Sequence, residues 1–221
     1  ADLAIVASLN EAGADEFAVL GISRCNIKDY KGAVPDLTKA IEKGSKDINI
    51  YAARGSALLE LKEYEKTIPD FNKAIEGGLT DADLFLKRGT AKYTLKDYSG
   101  AFSDLDRAIN SGTNSAIAFD MRGFCRYENK KSEEAIRDFN LAIEQDPKFA
   151  LAFFHRGDAR FTLNSLDEAI QDYTQAVALG LEDASDVGRG GPGGDDDRDR
   201  LTGLPGRVQL AAEPAVDAEH Q

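Results

Sequence analysis

The chain has no tryptophan, one methionine, two cysteines and two histidines in 221 residues. Two thiols are too few for a disulfide framework, and Cys25 and Cys125 stand at no metal-ligand spacing from each other or from His155 and His220. Both are expected to be reduced, packed side chains, and no metal or cofactor is expected. Long apolar runs are missing too: segments such as Leu3 to Ala7 and Phe149 to Phe154 fall far short of the ~20 residues that a membrane-spanning helix needs. Cations are in deficit, with 27 Lys and Arg against 39 Asp and Glu and a net charge of −12, which argues against nucleic acid and acidic membrane surfaces as partners. The N-terminus carries neither an initiator methionine nor a basic stretch, and is expected to be a cut or processed end without an intact signal peptide.

What the sequence does have is repetition. Gly21, Gly55, Gly89, Gly123 and Gly157 follow one another at intervals of 34 residues. Four residues before each lies an aromatic (Phe17, Tyr51, Phe85, Phe119, Phe153), and sixteen after each a bulky residue (Leu37, Phe71, Leu105, Phe139, Tyr173). Nineteen after each is an alanine, from Ala40 to Ala176, followed by Ile41, Ile75, Ile109, Ile143 or Val177. Separations of three, four and seven within each half-unit put these residues on one face of a helix, so each unit reads as a pair of amphipathic helices. Asp29, Asp97 and Ser132 are expected to cap second helices, glycines to end units, and Pro147 to sit at the first helical position of the next. Pro35 and Pro69 fall inside second helices and predict a late start or a kink there.

On these residues the chain resembles the tetratricopeptide repeat family, whose pattern is a 34-residue helix pair. The resemblance covers 14–183 as five units, 14–47, 48–81, 82–115, 116–149 and 150–183, and implies an all-α, right-handed α-solenoid of five helix-turn-helix repeats. Where the family has a leucine before the glycine, this chain has Arg54, Arg88, Arg122 and Arg156; where the family has a tyrosine three residues after it, the chain has Arg24, Leu58, Lys92, Arg126 and Arg160. Residues 1–13 read as a helical lead-in with Leu3, Val6 and Leu9 on its apolar side, and 184–221 as a Gly/Pro/Asp-rich tail, linker or disordered, too poor in apolar residues to order itself. Within that tail "GRGGPGG" follows no strand and leads into aspartates, so it reads as linker and not as a phosphate-cradling loop.

Fifteen residues after each glycine stands an aspartate: Asp36, Asp70, Asp104, Asp138 and Asp172. Such regularity predicts a structural ladder of ion pairs. Pairing within units would leave Asp36 over; pairing between units, Arg54 with Asp36, Arg88 with Asp70, Arg122 with Asp104 and Arg156 with Asp138, leaves no arginine unmatched and only Asp172 over, and is preferred.

Catalysis has little to draw on, because a solenoid holds Cys25, Cys125 and His155 in separate units, and the chain is not expected to be an enzyme. The resemblance implies instead a concave groove lined by first helices, at positions three before, one after, four after and six before each glycine. The candidates in the C-terminal half are Asp83, Leu86, Thr90, Tyr93, Asp120, Phe124, Tyr127, Phe154, Asp158 and Phe161. Aromatics with interleaved acids suit a protein or peptide partner carrying apolar and basic residues. Tyr127 and Phe161 could equally pack between helices. The two-carboxylate clamp by which some family members hold acidic chaperone tails is excluded, since Ala18, Ile22, Ser56, Leu86 and Thr90 occupy the corresponding places. The expected function is therefore a noncatalytic interaction scaffold, the alternative being a self-assembling repeat protein that associates through an uncapped C-terminal face or its tail.

Overall fold

The structure, a computed structural model, describes residues 13–181. The lead-in read over 1–13, Gly13 excepted, and the tail read over 184–221, with His220 and the "GRGGPGG" segment, lie outside the described residues. Within them run α1 (Ala14–Asn26), α2 (Tyr30–Glu42), α3 (Asn49–Glu60), α4 (Tyr64–Glu76) and α5 (Ala82–Thr94). There follow α6 (Tyr98–Asn110), α7 (Ala116–Glu128), α8 (Ser132–Gln145), α9 (Ala150–Thr162) and α10 (Leu166–Ala178). Among the described residues every regular element is a helix.

Each odd-numbered helix packs against the even-numbered helix that follows it, and each even-numbered helix against the first helix of the next pair. First helices of successive pairs also touch one another, whereas among the described residues second helices have no comparable mutual contact. The pairs therefore splay outward from a side lined by first helices. The close approach within a pair occurs at the repeated glycine. A Cβ at Gly123 would stand 2.7 Å from Phe139 and one at Gly89 3.1 Å from Leu105, so the bulky residue sixteen positions on fills the space that a side chain would take.

The connections repeat as faithfully as the helices. At the turn inside each pair Lys28, Lys62, Lys96, Lys130 and Asn164 all adopt φ between 61° and 63°, the left-handed region. Their amides and the next residue's return to the preceding helix, as in Lys62 N to Leu59 O and Glu63 N to Leu58 O, both 2.9 Å. This is the Schellman arrangement, which satisfies carbonyls that a helix end leaves open. Gly44, Gly78, Gly112 and Gly180 close the second helices in the same way with φ between 86° and 102°.

Several local expectations need correction. Asp29 and Asp97 do cap α2 and α6, accepting from Gly32 N at 3.1 Å and Gly100 N at 2.9 Å. Ser132 does not: it is the first residue of α8, preceded by Lys131, and is buried. Pro147 lies ahead of α9, in a turn held by Lys148 N to Asp146 Oδ1 at 2.9 Å, because the helix begins only after Phe149. Neither proline delays its helix: α2 runs through Pro35 and α4 through Pro69. Both prolines are exposed, as are Lys31 and Glu65 four residues earlier, so the carbonyls deprived of a donor lie on the water side.

Candidate functional site

The conspicuous polar network lies between the helices of each pair. Arg54 donates through Nε and Nη2 to Asp70 at 2.8 and 2.7 Å, and Arg88, Arg122 and Arg156 hold Asp104, Asp138 and Asp172 in the same two-pronged fashion. The repeated aspartate that each arginine holds is thus sixteen residues on, in the same pair, and not the one of the preceding pair. The cause is the glycine beside each arginine, which brings the aspartate's helix so close that a Cβ at Gly89 would stand 3.3 Å from Asp104 Cβ. The link between pairs runs through the remaining nitrogen. Nη1 of Arg54, Arg88, Arg122 and Arg156 reaches Thr38, Asn72, Asp106 and Asn140 of the preceding pair at 3.1, 2.7, 2.8 and 2.6 Å.

The cations that stand at the family's tyrosine position have the same target. Arg24, Lys92, Arg126 and Arg160 approach Asp36, Asp104, Asp138 and Asp172 at 2.5, 2.8, 2.6 and 2.6 Å. Asp36, for which no arginine precedes Gly21, is therefore held by Arg24, and Asp172 is matched twice. Hydrogen bonding to Asp70 raises the Arg54 pKa and bonding to Asp138 raises that of Arg122 against the opposing effect of burial. Both stay charged at any ordinary pH. No buried side-chain nitrogen or oxygen among the described residues lacks a partner.

The ten candidate groove residues separate by depth. Tyr93, Asp120, Phe124 and Phe154 are buried. Leu86, Thr90, Tyr127 and Asp158 are half-buried, and Asp83 and Phe161 are exposed. Phe124 is the hub of the buried set, with ring centroids at 5.6 Å from Tyr93 and Tyr98, 6.2 Å from Tyr127 and 4.8 Å from His155. Asp120 meets His155 Nδ1 at 2.9 Å, each side chain 3% exposed, so this carboxylate is engaged inside the protein. Asp158 accepts from Tyr173 at 2.8 Å, and Asp83 pairs with Lys87 at 2.6 Å on its own helix. Phe124, between Tyr93 and His155, thus fills the space between first helices of the last three pairs, Phe154 packs on Tyr173 of its own pair at 5.7 Å, and Phe161 stands open. Ile117, on the row six before each glycine, escaped the sequence reading although its offset marks it, and it is exposed.

Cys25 is half-buried and Cys125 buried, and loss of hydration raises both thiol pKa values. Among the described residues no group of three or more His, Cys, Asp or Glu could hold a metal ion, and no helix is long and apolar enough to cross a membrane.

The stacked pairs define the class: an all-α solenoid of five helix-turn-helix units. Two segments, 126–184 and 48–76, match models of the tetratricopeptide repeat. The chain carries tetratricopeptide repeats in these segments. Its fold is similar to that of YrrB, described as a TPR protein with an unusual peptide-binding site, at a TM-score of 0.69 and 23% identity over 80% of this chain and 91% of that one. A crystal structure of MamA superposes with a TM-score of 0.64 and 20% identity over 73% of this chain and 95% of that one. MamA from Desulfovibrio magneticus RS-1 gives 0.66 and 17% identity over 76% and 96%. Curated proteins give no significant sequence match.

Proposed function

We propose that the chain is a noncatalytic scaffold that takes a peptide segment of a partner protein along the side lined by its first helices. The observation that carries this reading is the layering of the C-terminal three pairs. A buried aromatic floor of Tyr93 and Phe124 has half-buried Leu86 and Tyr127 packed on it, and Thr90, Asp158, Phe161 and Asp83 on the same first helices are reachable. A rigid floor under reachable apolar and acidic groups favours a segment with apolar anchors and a basic residue, and the net charge of −12 would speed its approach. The fold likeness to YrrB, whose description names a peptide-binding site, is in keeping with this reading.

A peptide array probed with the full chain tests it. Basic-aromatic peptides are expected to bind and acidic ones to fail, and Phe161→Ala or Leu86→Ala should weaken the best binder about tenfold, the effect of losing one apolar anchor. Equal binding of acidic peptides, or indifference to both substitutions, would sink the proposal. Phe124→Ala is unsuitable, since loss of a buried ring would act through stability.

A further inference from the structure

The junction between successive pairs is one interface repeated four times, and its chemistry is constant. The incoming first helix brings an arginine, Arg54, Arg88, Arg122 or Arg156, and three residues later a fully buried small residue, Ala57, Ala91, Cys125 or Ala159. The receiving second helix offers a hydrogen-bond acceptor seventeen residues after its pair's glycine, together with apolar residues thirteen and twenty after it. In α2, α4, α6 and α8 the first apolar row (Val34, Ile68, Phe102, Ile136) and the second (Ile41, Ile75, Ile109, Ile143) are half-buried.

On α10 the same three positions are Ile170, Thr174 and Val177. Ile170 is 50% and Val177 54% exposed. Thr174 corresponds to Thr38, which accepts Arg54 Nη1 at 3.1 Å. Its hydroxyl donates to Ile170 O at 2.7 Å, leaving its lone pairs outward, and no guanidinium reaches it among the described residues. The last second helix is therefore built as a receiver.

We propose that the Ile170, Thr174 and Val177 face of α10 docks an amphipathic helix of another protein that carries arginine and, three residues later, alanine or a similarly small residue. The arginine donates to Thr174, the small residue allows close approach, and neighbouring apolar side chains cover Ile170 and Val177. Two other occupants fit less well. A second copy offering its first helix would place Leu20 where the arginine belongs, with Glu16 on the same face. Residues 182–221 hold no proline-free stretch with at most one glycine longer than the ten residues of 195–204, six of them charged, and the one arginine followed three residues on by a small residue, Arg200, meets there Gly203, a poor helix former two residues before Pro205. The first helices run to 12 or 13 residues. This surface is separate from the side proposed for peptides.

A fluorescent peptide with the sequence of residues 147–165, which contains Arg156 and Ala159, serves as probe because its helix already fills this kind of junction in the protein. Titrated with the full chain and read by anisotropy, it is expected to bind saturably. Ile170→Glu and Val177→Glu should each weaken binding at least about tenfold without moving the thermal midpoint, and a peptide with Arg156→Ala should bind about tenfold more weakly. Absence of saturable binding, or equal binding by both face variants, overturns the proposal. A molecular mass that rises with concentration and falls back in Ile170→Glu also overturns it, assigning the face to a second copy.

Discussion

Asp70 and Asp138 occupy the same offset in their pairs and differ in how many cations hold them. Among the described residues Asp70 has Arg54 alone, because the position that would supply a second cation is Leu58. Asp138 has Arg122 and Arg126, both within 3.0 Å. Breaking a buried ion pair from one side leaves an uncompensated charge and costs about 3–5 kcal/mol, whereas removing one of two donors costs about 1 kcal/mol. Arg54→Ala is thus expected to lose about 3 kcal/mol of unfolding free energy, given its partly exposed guanidinium, and Arg126→Ala about 1 kcal/mol. Urea denaturation of the two variants checks this, and equal losses would show that the second cation does not share the load. The identity of these residues was legible from the fixed offsets. Their pairing was not, because arginine and aspartate recur with one period, and a period cannot say whether partners lie in the same unit or adjacent ones. The glycine that decides it acts through helix approach, which becomes visible only in three dimensions.

At the scale of the element, the turns inside the pairs carry a cost that the helices absorb. A left-handed residue with a side chain gives up roughly 1–2 kcal/mol relative to glycine, of which glycine's greater unfolded-state freedom returns about 0.5–1 kcal/mol. Lys62→Gly should therefore raise unfolding free energy by about 0.5 kcal/mol, while Gly78→Ala, which forces a side chain into φ 97°, should lower it by about 1 kcal/mol. Thermal denaturation gives the signs, and destabilisation by Lys62→Gly would mean that the lysine stem contributes contacts outweighing the strain. The helix pairs themselves were readable from 34-residue spacing, since the alanine nineteen after each glycine is buried in every pair and the bulky residue sixteen after it in all but the last, where Tyr173 is half-buried. The capping roles of Asp29 and Asp97 were readable too. Ser132 and Pro147 misled because Ser and Pro are each also tolerated one or two residues from the cap, and only the actual start of α8 and α9 fixes their role. The groove candidates shared rows by offset, but the offset carries no depth: Phe124 is buried among Tyr93, Tyr98 and His155, and Phe154 against Tyr173, where Thr90 and Leu86 stay in reach.

For the whole molecule, the two most strongly raised acid pKa values lie in the C-terminal half, while that of Cys25 on α1 is raised as well. Cys125 on α7 and Tyr173 on α10 both have raised pKa values, chiefly because burial disfavours their anions, with Asp158 adding to the effect at Tyr173. A folded-state pKa above the unfolded value means that the folded protein keeps a proton which the unfolded chain surrenders. The stabilisation is complete below the unfolded pKa, about 8.5 for a thiol and about 10 for a phenol, and is lost as pH rises further. Each group can tilt the stability curve downward by up to about 1.4 kcal/mol per pH unit above its threshold. In a solenoid each unit leans only on its neighbours, so this loss should act locally. Hydrogen exchange corrected for the intrinsic alkaline rate is expected to show α7 to α10 losing protection between pH 8.5 and 10.5 ahead of α3 and α4, which hold no cysteine. Cys125→Ala combined with Tyr173→Phe lowers stability throughout but should flatten the pH slope, and it is the slope that decides. If α3 and α4 lose protection in step with the C-terminal helices, the five pairs unfold as one cooperative block and the stacked interfaces bind the array more tightly than nearest-neighbour coupling provides.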